Sequence, residues 1–541
     1  MSTEMEPLSI DRAIGQKILL AFEGKDDLPG EIRDVIRKVR PGGFTLYRAL
    51  NIENPAQVHQ LTQALQQIAL EEGLSPFLIA ADQEGGQLMA IGEGTTQLPG
   101  NLALGAAGST ELAHQAGVVL GRELAAIGIN IDYAPCCDVN VNPHNPVVGT
   151  RSFGQDPRKV AALSAAMVAG IQASGVAAAA KHFPGHGDTA SDSHHGVPVV
   201  PHRLERLREV ELPPFAAAIR AGAKLVMTAH LALPEVDGRD DLPATLSASI
   251  LQGLLRRELG FSGLIVTDAL DMRAILQGMS IEQVAVSAVS AGIDLLLLGP
   301  SQTSPASIYN RLLESTQQGE LDTESFQAST RRIKALKDWL GKQALPPELD
   351  VVGCAAHQAV ATEIAGRSIT LVRDQGGLLP LRLQSGQRMA VILPRPLDLT
   401  PADTSSYVSP ALAQELRRYF STVDEYLLPH APQDQDIAAL LGQVQKYSLL
   451  VLCTLNAYSQ PDQASLVKAS IQTGIPCVVA ALRMPNDLAA FPDAPTFVCT
   501  YSILEPSMRA LAQALTGIIP FKGRLPVTIP GLYTAGHGLV T

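Results

Sequence analysis

The feature that most constrains this chain is a repeated alternation, across its first two-thirds, of short apolar runs with longer segments of helical period. The runs fall at residues 17–22, 43–47, 77–81, 129–133, 176–180, 225–229, 264–267 and 294–298. Between them lie segments with helical spacing and end signals: Asn54-Pro55 opens 54–72, Asp156-Pro157 opens 156–174, and 247–259 stops at Gly260. About eight such strand-plus-helix units, spanning roughly 10–340, predict an α/β fold whose first part is a (β/α)8 TIM-like barrel. In a barrel of this kind, side chains with chemistry collect just past the C-terminal ends of the strands. The sequence follows that pattern. Asp82 and Glu84 come after the third run, Asp132 and Asp138 at and after the fourth, Lys181 and His182 after the fifth, His230 after the sixth, and Asp268 and Asp271 after the seventh.

With 541 residues the chain is too long for one core. The pattern breaks around ALPPE (344–348), which divides the chain into a barrel at 1–344, a linker at 345–365 and a second unit at 366–541. Strand-like runs at 389–393, 449–453, 477–481 and 496–499 alternate with helical stretches there, so the second unit reads as an α/β sandwich. A net charge of −12 without any Lys/Arg run disfavours a nucleic-acid partner. The apolar runs are far short of the roughly 20 residues a membrane helix needs. The N-terminal stretch MSTEMEPLSI has neither a basic region nor an apolar core, so no signal peptide is expected. Six cysteines without a CxxC spacing predict free thiols in a reducing compartment, hence the cytoplasm.

The densest polar stretch is KHFPGHGDTASDSHHGVP at 181–198, which holds four of the twelve histidines (His182, His186, His194, His195) together with Asp188 and Asp192. A solvated loop would favour Lys, Glu and Ser over repeated His. A metal cluster could draw on Asp188, Asp192 and His194, although no HxH or HExxH spacing fixes its geometry. A third possibility is proton transfer: Asp192 stands two residues before His194, close enough to orient the ring and favour its protonated form.

This stretch resembles the signature of glycoside hydrolase family 3, in its β-N-acetylhexosaminidase branch, where an Asp-x-His dyad does the acid/base work. The resemblance implies that His194 is the acid/base and Asp192 its orienting partner. It extends to VTDALDM (266–272), which is similar to the family's nucleophile motif and implies that Asp268 attacks the anomeric carbon while Asp271 supports the structure. The bland alternative for Asp268 is a cap on the following helix. ADQEGG (81–86) and NPVVGTRSFGQDP (145–157) resemble family segments whose aspartate and arginine, here Asp82 and Arg151, reach the sugar, and Lys181-His182 matches its sugar-binding pair. Lys181 could equally be a strand-end ion pair and Arg151 a loop staple. After EGG, relatives of the peptidoglycan-recycling type carry two arginines three residues apart, where this chain has Gln87 and Ala90. In the last third, SITLVRDQGGLLPL (368–381) and FKGRLPVTIP (521–530) resemble the opening and closing segments of the family's second domain.

The activity implied is that of a retaining glycosidase that removes terminal β-linked N-acetylglucosamine, with a small carbohydrate substrate from GlcNAc-containing glycosides or muropeptides. It needs no cofactor and no metal. The alternatives are a β-glycosidase of other specificity, a phosphorylase, a metal-dependent hydrolase using the His-rich loop, and a sugar-binding barrel without catalysis.

Overall fold

In the computed structural model, which describes residues 9–25, 28–190, 196–299 and 305–541, the first unit is a barrel of eight parallel strands. They are β1 (Ile18–Leu20), β2 (Gly43–Thr45), β3 (Leu78–Ala81), β4 (Ile131–Asp132), β5 (Ala177–Phe183), β6 (Leu225–Thr228), β7 (Leu264–Val266) and β8 (Leu296–Leu297). Sequential neighbours pair, β8 pairs back onto β1, and a single parallel bridge between Val266 and Leu295 closes the ring.

The strands read as continuous apolar runs because both of their faces are covered. Leu78 and Ala80 of β3, and Ala177 and Ala179 of β5, belong to the cluster inside the barrel, whereas Ile79, Ala81, Ala178 and Ala180 pack outward under the helices. Small alanines on β5 leave room for the large interior residues Tyr133, Leu225 and Met227. The helix Thr323–Leu340 stops the N-terminal end of the barrel with Ile333 and Leu336.

The segment predicted as a linker contains a helix, Ala355–Ser368. It packs on the barrel helices Asn101–Ala107 and Thr110–Ile127 and on Glu505–Thr516 of the second unit. Buried Glu123 fixes it there by accepting from His357 Nδ1 (2.8 Å) and from Gly353 N (2.9 Å).

The second unit is a six-stranded sheet of β9 (Thr370–Asp374), β10 (Met389–Pro394), β11 (Val423–Leu428), β12 (Leu449–Thr454), β13 (Cys477–Ala481) and β14 (Thr496–Cys499). The strand order is β9-β14-β13-β12-β10-β11, with only β9 antiparallel. Met389, Val391, Val451 and Val478 face one apolar layer, and Ala390, Ile392, Leu452 and Val479 face the other, so the expected sandwich forms. All six cysteines are free thiols, and all but Cys354 are buried. No helix among the described residues is long and apolar enough to cross a membrane.

Candidate active site

The strand tips gather the charged residues at one end of the barrel. Strand β5 runs past the predicted end, so Lys181 and His182 lie within it and Lys181 continues the inward parity of Ala177 and Ala179. Its amine reaches across to Asp82 Oδ1 (2.5 Å) at the tip of β3 and to Glu84 Oε1 (2.6 Å). Glu84 stands on a short hairpin, Gln83–Gly85 against Leu88–Met89, that rises from β3. Its carboxylate takes both arms of Arg151, with Nη2 at 2.7 Å and Nε at 3.0 Å.

Two carboxylates and two cations thus form a balanced cluster in which the side chains of Glu84, Arg151 and Lys181 are at most 3% exposed, while Asp82 keeps 27% exposure toward the barrel mouth. Burial alone would raise the Glu84 pKa, but the adjacent Arg151 and Lys181 charges reverse this and bring it down to about 2. Burial likewise disfavours charge on Lys181, and the carboxylates of Asp82 and Glu84 override it upward.

His182 belongs to a second, linked group. Its Nδ1 lies 2.7 Å from Asp138 Oδ2, and its Nε2 lies 3.3 Å from Arg151 Nη2. A guanidinium can only donate, so Nε2 accepts and Nδ1 carries the proton that points to Asp138. Asp138 also accepts from His186 N (2.6 Å) and from the Cys136 thiol (3.1 Å). Although burial opposes it, the His182 ring and these donors hold the Asp138 carboxyl well below the usual carboxylate range. Ligand atoms of Cys136, Asp138 and His182 lie within 4.8 Å of one another. They do not suit a cation, because the Arg151 donor keeps the proton on His182 Nδ1 and removes its lone pair from the set. Asp188, considered from sequence as a metal ligand, is instead held by His202 Nε2 (2.7 Å) and Arg206 (3.8 Å).

Asp268 follows β7 through Thr267, whose hydroxyl accepts from Leu297 N (2.9 Å) and so anchors the strand end. Asp268 Oδ1 accepts from Ala269 N (2.8 Å), and His230 Nε2 donates to Ala269 O (3.0 Å), bracing the same turn. The charges of Asp82 and Asp268 both act on the buried Tyr47 and Tyr133 phenols and, on top of burial, raise their pKa values. Asp271 stands at the tip of β8, where its carboxylate occupies the space a side chain on Gly299 would need, and its charge also acts on Tyr47.

The structure therefore brings Asp82, Arg151, Lys181, His182 and Asp268 to one rim. Asp192 and His194, predicted as the acid/base pair, lie outside the described residues. Sequence reasoning singled out Glu84, Asp138 and His230 by position but gave them no role. Their partners lie 67, 44 and 39 residues away in the chain, a separation that no local spacing signals.

Carboxylates and fixed cations gathered beyond the strand tips at one end of a barrel define a site for a polyhydroxylated ligand, of the kind found in enzymes that act on sugars. Residues 9–336 match the glycosyl hydrolase family 3 N-terminal domain, and the chain belongs to that family. It is 31% identical over 589 residues to a beta-hexosaminidase A of Pseudoalteromonas piscicida, covering 97% of each chain. A beta-hexosaminidase of Pseudomonas aeruginosa is 36% identical over 273 residues, 50% of this chain and 79% of that one. The solved family 3 beta-N-acetylglucosaminidase of Paenibacillus sp. str. FPU-7 superposes with a TM-score of 0.90 at 37% identity, over 96% of this chain and 99% of that chain.

Proposed function

We propose that this enzyme removes terminal, non-reducing β-linked N-acetylglucosamine by a two-step displacement that retains configuration. The single observation that carries this is the Glu84–Arg151–Lys181 cluster with half-open Asp82, gathered at the end of the barrel where Asp268 follows β7. Sugar hydroxyls donate to the half-open Asp82 carboxylate and accept from Lys181, while Arg151 and His182, locked by Glu84 and Asp138, line the remaining wall. An Asp268 carboxylate oxygen attacks the anomeric carbon as the glycosidic C–O bond breaks, and protonated His194, oriented by Asp192, gives its proton to the leaving oxygen. In the second step His194 takes a proton from water, whose oxygen displaces Asp268 and frees the sugar. GlcNAc-containing glycosides or muropeptides are the substrate class, and the free thiols suit the cytoplasm.

The test is release of p-nitrophenol from a panel of β-glycosides, with and without inorganic phosphate. Turnover confined to the GlcNAc glycoside and indifferent to phosphate is expected. Preference for glucose, or rates that rise with phosphate together with formation of a sugar phosphate, would replace this assignment.

A further inference from the structure

The hairpin that carries Glu84 does not stand on the barrel alone. Its turn residue Gln87 is held from two sides. In the barrel, Thr150, the neighbour of Arg151, donates its hydroxyl to Gln87 Oε1 (2.8 Å). In the second unit, Thr404 gives both its amide (2.9 Å) and its hydroxyl (3.0 Å) to the Gln87 carbonyl, and its hydroxyl oxygen also accepts from Met89 N (3.2 Å). Thr404 is 9% exposed, and the residue before it, Asp403, is fixed by a buried ion pair with Arg483 (2.6 Å).

The chain segment responsible leaves the sheet where its topology reverses. From β10 the chain passes to β11 on one side, then returns to β12 on the other. The loops beyond the C-terminal ends of such strands form the crevice where open α/β sheets present their working residues. Here the loop after β10 carries Asp403 and Thr404 to the hairpin and Tyr407 to Arg48, whose guanidinium lies 4.1 Å from the ring centroid and donates to Met89 O (3.1 Å). The loop after β12 sets Tyr458 against His144 of the barrel, with ring centroids 4.8 Å apart and planes tilted by 30°, and after β13 Asn486 Nδ2 donates to Pro143 O (2.9 Å).

We propose that the second unit tunes sugar affinity through Gln87: Thr404 clamps the hairpin turn, the turn fixes Glu84 and Thr150, and these set the positions of Arg151 and Lys181. Gln87, Thr150 and Thr404 are then positioning residues that touch no substrate. The inference rests on the sugar-site assignment above. A looser hairpin weakens ground state and transition state alike, because it moves sugar-holding groups and leaves the reacting groups in place. KM should therefore rise while kcat holds.

The experiment compares full-length wild type with Gln87→Ala, Thr404→Val, Thr404→Ser and Arg151→Ala on the p-nitrophenyl GlcNAc glycoside, with melting curves alongside. Gln87→Ala and Thr404→Val should each raise KM about three- to tenfold with kcat within about twofold and the melting temperature retained, and Thr404→Ser should return KM toward wild type. An active wild type whose KM is unmoved in Thr404→Val, while Arg151→Ala raises it, overturns the clamp alone. A KM unmoved in Arg151→Ala, or a wild type inactive on the whole glycoside panel, overturns the sugar-site assignment and the clamp with it. A fall in kcat equal to the rise in KM, or a lowered melting temperature that Thr404→Ser does not restore, assigns these residues to folding only.

Discussion

Replacing Glu84 by glutamine is the sharpest perturbation of the site. The wild-type cluster holds Asp82 and Glu84 against Arg151 and Lys181, so its formal charge is zero. Glutamine leaves one buried cation uncompensated and turns an N–H toward groups that can only donate. Breaking one partner of a buried ion pair costs about 3–5 kcal/mol. The downward shift of Glu84, from 4.5 to about 2, gives about 3 kcal/mol by a separate route at roughly 1.4 kcal/mol per unit. Because the folded-state pKa lies below the unfolded one, this stabilisation is complete above pH 4.5 and disappears as pH falls through about 2. Urea unfolding at pH 7, followed by near-ultraviolet circular dichroism, should show Glu84→Gln destabilised by about 3–5 kcal/mol in the transition that includes the barrel. The deficit should shrink as the pH is lowered below 4.5, where the wild type loses the same ionisation. Since Arg151 and Lys181 lose their anchor, KM for the GlcNAc glycoside should also rise. A variant within about 1 kcal/mol of wild type at pH 7, with KM unchanged, would refute the reasoning.

Asp268→Asn should lower kcat by about a thousandfold or more while the melting temperature holds, and residual activity near wild type would remove Asp268 from the nucleophile role. His194→Ala should abolish the alkaline limb of the pH profile on a glycoside with a poor leaving group, because the protonated ring is the form that donates. Burial lifts the Asp487 carboxyl from 3.8 to about 6, so the contribution of its protonated form is complete below pH 3.8 and is lost as pH rises through 6. Asp487→Asn should therefore gain about 1–2 kcal/mol over wild type between pH 5 and pH 8 in calorimetric or urea unfolding, and a pH-independent difference would contradict this. Dialysis against EDTA should leave turnover intact, and a loss restored by a divalent cation would return the metal-dependent alternative.

The barrel was legible because parallel strands buried on both faces leave unbroken apolar runs, and the eight runs fall on the eight strands. Strand β11 was not, since its pattern of one buried residue followed by alternating half-exposed and exposed ones puts Asp424 and Glu425 in view and resembles a loop. The helix Ala355–Ser368 was hidden behind the proline-rich break before it. At the candidate site, the order of strands and polar residues was enough to place Asp82, Lys181, His182 and Asp268 at one end of the barrel. They could not show that Glu84 binds Arg151 and Lys181 together, because those contacts join residues 67 and 97 positions apart across the rim. Gln87, noted only as a missing arginine, turned out to join the barrel to the second unit.

The zero sum of the Asp82–Glu84–Arg151–Lys181 quartet has a consequence for how a ligand is met. Four fixed ions that cancel one another hold an uncharged sugar through oriented, short-range contacts and add no long-range pull that salt could weaken. Capture should be nearly indifferent to ionic strength, and a substrate bearing charge near those four groups would have to overcome a pairing that is already complete.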